Sequence, residues 1–100
     1  MIKVIVGYKV KDINLIQPVL IQIRAEAMKH EGFVRSEILL SQSDVSLVAV
    51  EKNWDSIKDW QAWEKSAERQ ALLQLAKTYL IEEPRVKVYT VMPTGFQWVG

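Results

Sequence analysis

Residues 33–54 read FVRSEILLSQSDVSLVAVEKNW, and the reading of this stretch decides the fold. Two apolar runs, Phe33 to Ser41 and Ser46 to Trp54, flank the short link Gln42-Ser43-Asp44-Val45. A link this short joins antiparallel neighbours, so the two runs form a β-hairpin. Helical periodicity lies on both sides of it. Upstream, Ile16, Val19, Leu20, Ile23 and Ala27 recur at the spacing of one buried helix face. Asp12 or Asn14 can cap this helix. Pro18 belongs in a first turn, which places the regular helix from Ile16 or Gln17. Glu31-Gly32 ends the segment, with Gly32 as a left-handed cap. Downstream, Ser56 and Asp59 have the spacing of a capping box, and Ile57, Trp60, Trp63 and Ala67 form the apolar face behind it. Ser66 restarts the helix after a bend, and Leu72, Leu75, Ala76 and Tyr79 continue the stripe.

Working outward, residues 2–10 alternate: Ile2, Val4, Val6, Tyr8 and Val10 share one side. This is the period of a strand with one buried face. Gly7 within it suggests a bulge or a close approach by another group. Pro84 and Pro93 bracket a last strand, Arg85 to Met92. The order is therefore β-α-β-β-α-β, an α+β, ferredoxin-like arrangement with four antiparallel strands and helices on one face. The strands carry apolar residues on both faces: Ile5 opposes Val4 and Val6, Phe33 and Leu39 oppose Ile38 and Leu40, and Leu47 and Ala49 oppose Val48 and Val50. Soluble monomers seldom leave such a face open, so a homodimer joined through the sheets is expected.

One hundred residues with 49% hydrophobic and 25% charged side chains make a single globular domain, expected over residues 1–93, with a tail at 94–100 that contains Phe96 and Trp98. A net charge of +1 argues against a nucleic-acid partner. The absence of cysteine removes disulfides and thiolate chemistry, and a single histidine, His30, removes multi-histidine metal sites. No apolar run is long enough to span a bilayer, and the N-terminus lacks the pattern of a signal peptide. The cytoplasm is the expected location. No glycine-rich phosphate loop supports a nucleotide cofactor.

Residues 51–69, EKNWDSIKDWQAWEKSAER, resemble the signature of the antibiotic biosynthesis monooxygenase (ABM) superfamily: a strand ending W-x-S, a helix carrying W-x-x-W, then S-x-E-R. Residues 24–33 are similar to the family's first-helix ending and glycine turn, and residues 83–89 to its entry into the last strand. The resemblance covers residues 2–92. It implies a dimeric α/β barrel of two ferredoxin-like protomers, each with a pocket between its sheet and helices. Some members oxidise aromatic phenols with molecular oxygen and neither metal nor flavin; others degrade haem, and many have no known activity.

By that resemblance, Trp63 is the pocket tryptophan, an indole N–H donor and a stacking wall for a flat substrate. Tyr8 and Asn53 stand as accompanying donors, and Val6, Trp60 and Leu72 as further lining. Each also has a purely structural reading. Trp60 and Trp63 have the spacing of core residues, and Asn53 is placed to make local strand-end bonds. Haem degraders carry an asparagine on the first strand and an axial histidine after the tryptophan; both are missing here, which disfavours haem. His30 suits a solvated helix end. Glu37 and Glu51 read as surface ion-pairing groups, with Arg35, Lys52 or Lys87 as partners. The expected function is a cofactor-free monooxygenase of a small aromatic phenol or quinol; the alternative is a non-catalytic dimeric module binding a small apolar ligand.

Overall fold

The structure, a computed structural model, describes residues 1–93; Phe96 and Trp98 lie outside the described residues. Its elements are β1 (Ile2–Lys9), α1 (Ile13–Ala27), β2 (Phe33–Leu40), β3 (Leu47–Trp54), α2 (Ile57–Glu64), α3 (Ala67–Lys77) and β4 (Arg85–Thr90). The sheet order is β2-β3-β1-β4, and every neighbouring pair is antiparallel. This is the expected ferredoxin-like α+β topology, with the central hairpin formed by β2 and β3.

Register sorts the strand residues by face. Ile2, Val4, Val6 and Tyr8 of β1 stand opposite Trp54, Lys52, Val50 and Val48 of β3, and this whole set lies under the helices. From above, α1 contributes Ile16, Val19, Leu20, Ile23 and Ala27, while α2 contributes Trp60 and Trp63. The sequence periodicities therefore meet in one core. Each helix begins on a side-chain acceptor: Asp12 for α1, Ser56 for α2 and Ser66 for α3. Ser66 does two jobs at the bend. Its hydroxyl donates to the Trp63 carbonyl at 2.8 Å and accepts from the Arg69 N–H at 3.2 Å. It thus closes α2 and opens α3, fixing Trp63 and Arg69 relative to each other.

Four local expectations are corrected. Helix α1 begins at Ile13, not Ile16 or Gln17. The Asp12 carboxylate accepts the Asn14 N–H at 2.8 Å, so the cap acts early and Pro18 falls inside the helix. Its cost is one missing bond to the carbonyl of exposed Asn14. Phe33 faces the core, not the open face with Leu39. A register shift between Phe33 and Arg35 puts Phe33 opposite Trp54, with the rings edge-on at 5.6 Å. Gly7 lies in regular pairing with Ala49 and Arg85, and a Cβ there would meet only the Arg85 carbonyl at 3.9 Å. No bulge or tight approach requires it. Strand β4 ends at Thr90 rather than Met92, because Thr90 pairs with Ile2 and β1 has no strand residue before it. Gly32 does adopt the expected left-handed conformation, φ 83°, and a Cβ there would collide with the Asp59 side chain.

The helices leave two regions of the sheet uncovered. One is the face opposite them, where Leu39, Leu47 and Tyr89 are each more than 40% exposed. The other is the β4 edge: Val86 and Val88 share the helix-side face with Val6 and Val4, yet each is 42% exposed. Between α3 and β4 this leaves a groove of about 410 Å³, lined in part by Arg69, Leu73, Lys77 and Val86.

Candidate functional site

The interior under the helices is apolar except for an unusual set of side chains, most of which can only donate. On β3, Lys52 lies between Val4 of β1 and Ser36 of β2, facing the helices and 2% exposed. The expectation of a surface lysine pairing with Glu37 or Glu51 is thus corrected. Glu51 projects to the other face, where its carboxylate meets Lys3 at 3.2 Å. Strand alternation decides it, since neighbours 51 and 52 cannot share a face.

Arg69, in the first turn of α3, is 7% exposed. Its guanidinium carbon stands 5.4 Å from the centre of the Trp60 ring, a cation–π contact, and Nη1 donates to the Glu64 carbonyl at 3.4 Å. Arg24 reaches over from α1, and its Nε donates to the Ser36 carbonyl at 3.3 Å. Among the described residues, none of Lys52, Arg69 and Arg24 is in an ion pair with a carboxylate.

The aromatic wall beside these cations is built from Trp54, Trp60 and Trp63. Trp54 and Trp63 stack with ring centres 6.4 Å apart and planes 26° from parallel, and Trp60 tilts against Trp54 at 6.5 Å. The His30 ring, half-buried just beyond the end of α1, meets Trp63 edge-on at 4.8 Å. The indole N–H groups of Trp54 and Trp63 and the Ser36 hydroxyl are buried without a partner. Native interiors leave few such groups, and each one calls for an explanation.

Electrostatics follow from this inventory. Burial, reinforced by the positive charges of Arg69 and Arg24, brings the Lys52 ammonium down to about 8. Among the described residues, no negative charge offsets it. Arg69 is lowered from its ordinary value chiefly by burial, with Tyr8 and Glu64 acting in the opposite direction. Tyr8 is pushed up to about 12 by burial, against the pull of Arg69, and stays a neutral phenol at physiological pH.

The residues singled out from sequence divide in two. Tyr8, Val6, Trp60 and Trp63 all lie on the helix side of the sheet, in the core, with Leu72 packed against it. Asn53 does not join them: its partners Lys3 and Arg35 place it on the opposite face, although it too is buried. Sequence reasoning missed Lys52 and Arg69. The signal for Lys52 was present: it is the one charged residue in phase with Val48, Val50 and Trp54. Among the described residues there is no group of three or more potential His, Cys, Asp or Glu metal ligands, and no helix is long and apolar enough to cross a membrane.

Fold and site together define a ferredoxin-like protein with a tryptophan-walled, cation-bearing interior. The model of the antibiotic biosynthesis monooxygenase family matches residues 19–75, and the chain belongs to that family. Solved structures share the fold at low identity. SnoaB, a cofactor-independent oxygenase from Streptomyces nogalater, is 11% identical, with 95% of this chain and 96% of that one covered and a TM-score of 0.84. A conserved protein from Methanosarcina mazei Go1 is 16% identical, covering 88% and 89%, with a TM-score of 0.81. Rv0793 from Mycobacterium tuberculosis is 10% identical, covering 94% and 97%, with a TM-score of 0.82. No protein of curated function matches the sequence.

Proposed function

We propose that this chain is a cofactor-independent monooxygenase of a small aromatic phenol or quinol, working in the cytoplasm as a homodimer. The observation that carries the reading is Trp63: completely buried, stacked on Trp54, its N–H without a partner, in a chain of this family. A flat ring is the natural guest of such a wall, and a substrate oxygen is the natural acceptor for its donor. The same fold in an oxygenase named as cofactor-independent supports the reading.

The chemistry asks little of the protein. The substrate loses its phenolic proton, and the resulting anion passes an electron to dioxygen. Overall the substrate gives up two hydrogens and gains one oxygen atom, the second oxygen leaves as water, and the substrate supplies all four electrons. The interior donors would stabilise the anion and exclude water from it. Oxygen uptake with an anthrone-like or hydroquinone substrate is expected in metal-free protein. Trp63→Phe keeps most of the wall but removes the indole donor, and should lower turnover about 10- to 1000-fold, as loss of an oxyanion donor does. Tyr8→Phe tests the phenol in the same way. Wild-type rates in both variants would remove these residues from the mechanism. Uptake no faster than substrate autoxidation would favour the binding-module reading.

The dimer is supported by the open sheet face, where Ile5, Leu39, Leu47, Ala49 and Tyr89 share a side. Sedimentation at micromolar concentration should give a dimer; a predominant 11.5 kDa monomer would refute the pairing of sheet faces.

A further inference from the structure

We infer that two copies of this chain join about a twofold axis running along the strands between β1 and β3, with Glu37 of each copy paired to Lys87 of the other. The inference rests on the homodimer reading and goes beyond it. It fixes which strand of one sheet lies over which strand of its partner, and it names the pair that sets this orientation.

Strand alternation and register divide the open face into two halves of unlike charge. Glu37 and Glu51 face out from β2 and β3, with Arg35 as the cation on that half. Lys3 and Lys9 face out from β1, and Arg85 and Lys87 from β4. Two of these groups are already engaged within the chain: Lys3 holds Glu51 at 3.2 Å, and Arg85 reaches Glu82 at 3.7 Å. Glu37 and Lys87 are both exposed, and among the described residues neither is in an ion pair. They stand in one row of the sheet, linked by the register Glu37–Glu51–Ile5–Lys87. Three strand spacings, about 14 Å, separate them, so they cannot pair within one protomer.

Aligned sheets can face each other about a twofold in two ways. An axis across the strands lays β2 over the partner's β2, and the acidic half of one sheet over the acidic half of the other. An axis along the strands lays β2 over the partner's β4 and keeps the rows in step. Glu37 then meets the partner's Lys87, and in the neighbouring row Arg35 meets the partner's Tyr89, a cation beside a half-exposed ring. Like charges brought together cost far more than a lost contact, so charge selects the second arrangement. The same axis accounts for Gly7. Nothing in its own protomer calls for glycine there, yet it pairs with Ala49 beside the axis, and the twofold brings it to the partner's Ala49. The two sheets thus meet over their smallest side chains. Three of the four strands are eight residues long. At about 3.3 Å per residue and 4.8 Å between strands, each sheet offers a footprint on the order of 500 Å². Both together reach the roughly 1,000 Å² that a specific interface needs.

Charge exchange tests the orientation, with dimer dissociation followed by sedimentation at low salt and pH 7. Glu37→Lys and Lys87→Glu should each weaken the dimer about 10-fold or more, because the twofold turns both ion pairs into like-charge pairs. An equimolar mixture of the two variants should form a heterodimer, identified by native mass spectrometry, because opposite charges then face each other at both contacts. The double variant Glu37→Lys/Lys87→Glu should return to within about 3-fold of wild type. Lys58→Glu, at an exposed position of α2, should leave the dimer unchanged. High salt should narrow all these differences. The mixture regains the dimer with no further substitution, so misfolding of the single variants would show itself as a failure to do so. Single variants that dimerise as tightly as wild type, or a mixture and a double variant no tighter than the singles, would overturn the inference and leave the homodimer reading standing. A wild-type protein that sediments as a monomer in the same series would overturn both.

Discussion

Trp63→Ala is expected to lower the free energy of unfolding by about 3–5 kcal/mol, the range for deleting a large buried aromatic. Trp63 has no exposed surface, stacks on Trp54 and receives the edge of His30, so its removal opens a cavity between α2 and β3 that its neighbours cannot close. Trp63→Phe retains most of the apolar volume and forms no new polar contact. Its indole N–H is unpartnered in the first place, so the ring change should cost only about 1 kcal/mol. The contrast separates the two roles of the residue. Packing is lost in the alanine variant alone; the donor is lost in both. Urea denaturation followed by far-ultraviolet circular dichroism measures the difference. A cost below about 1 kcal/mol for Trp63→Ala would mean that the wall is not part of the core.

Why much of the fold was legible and the charged part of the site was not can be seen in neighbouring residues. The apolar positions of α1 and β1 report themselves by period, because a helix buries every third or fourth residue and a strand every second. The hairpin follows from the shortness of the link between its strands. Phe33 escaped the same logic, since one extra residue before Arg35 inverts the phase and no residue in that stretch announces a bulge. Lys52 escaped for another reason. Charged residues on strands are ordinarily solvated, and only the alternation of Val48, Val50 and Trp54 around it marks the exception. Whether Asn53 shares a face with Tyr8 was not legible, because convergence across two strands depends on pairing, and the register Lys3 to Asn53 is a tertiary fact. Arg69 was in view as part of a motif, but its burial comes from the turn at Ser66, which swings the start of α3 over Trp60.

Lys52→Met should make the unliganded protein more stable by about 3 kcal/mol at pH 7, and the gain should fade as pH rises. In the folded chain the ammonium is brought down to about 8 from 10.5, so folding favours its neutral form. Below pH 8 both folded and unfolded chains hold the proton, and the full burden of burying the charge, roughly 3 kcal/mol for this displacement, is present. Between pH 8 and 10.5 the unfolded chain binds more protons than the folded one, so wild-type stability rises with pH across that window. The difference between variant and wild type should therefore fall below about 1 kcal/mol near pH 10. Tyr8 acts in the opposite sense. Its folded value of about 12 lies above the ordinary 10.0, so its contribution is complete below pH 10 and is lost above it. It is common to both proteins and cancels in the comparison. Denaturant titrations of the pair at pH 7, 8.5 and 10 decide the matter. A destabilising substitution at pH 7, or a difference that does not change with pH, would mean that Lys52 has a counter-charge in the folded protein. A stabilising one shows that the lysine is held against the stability of the fold.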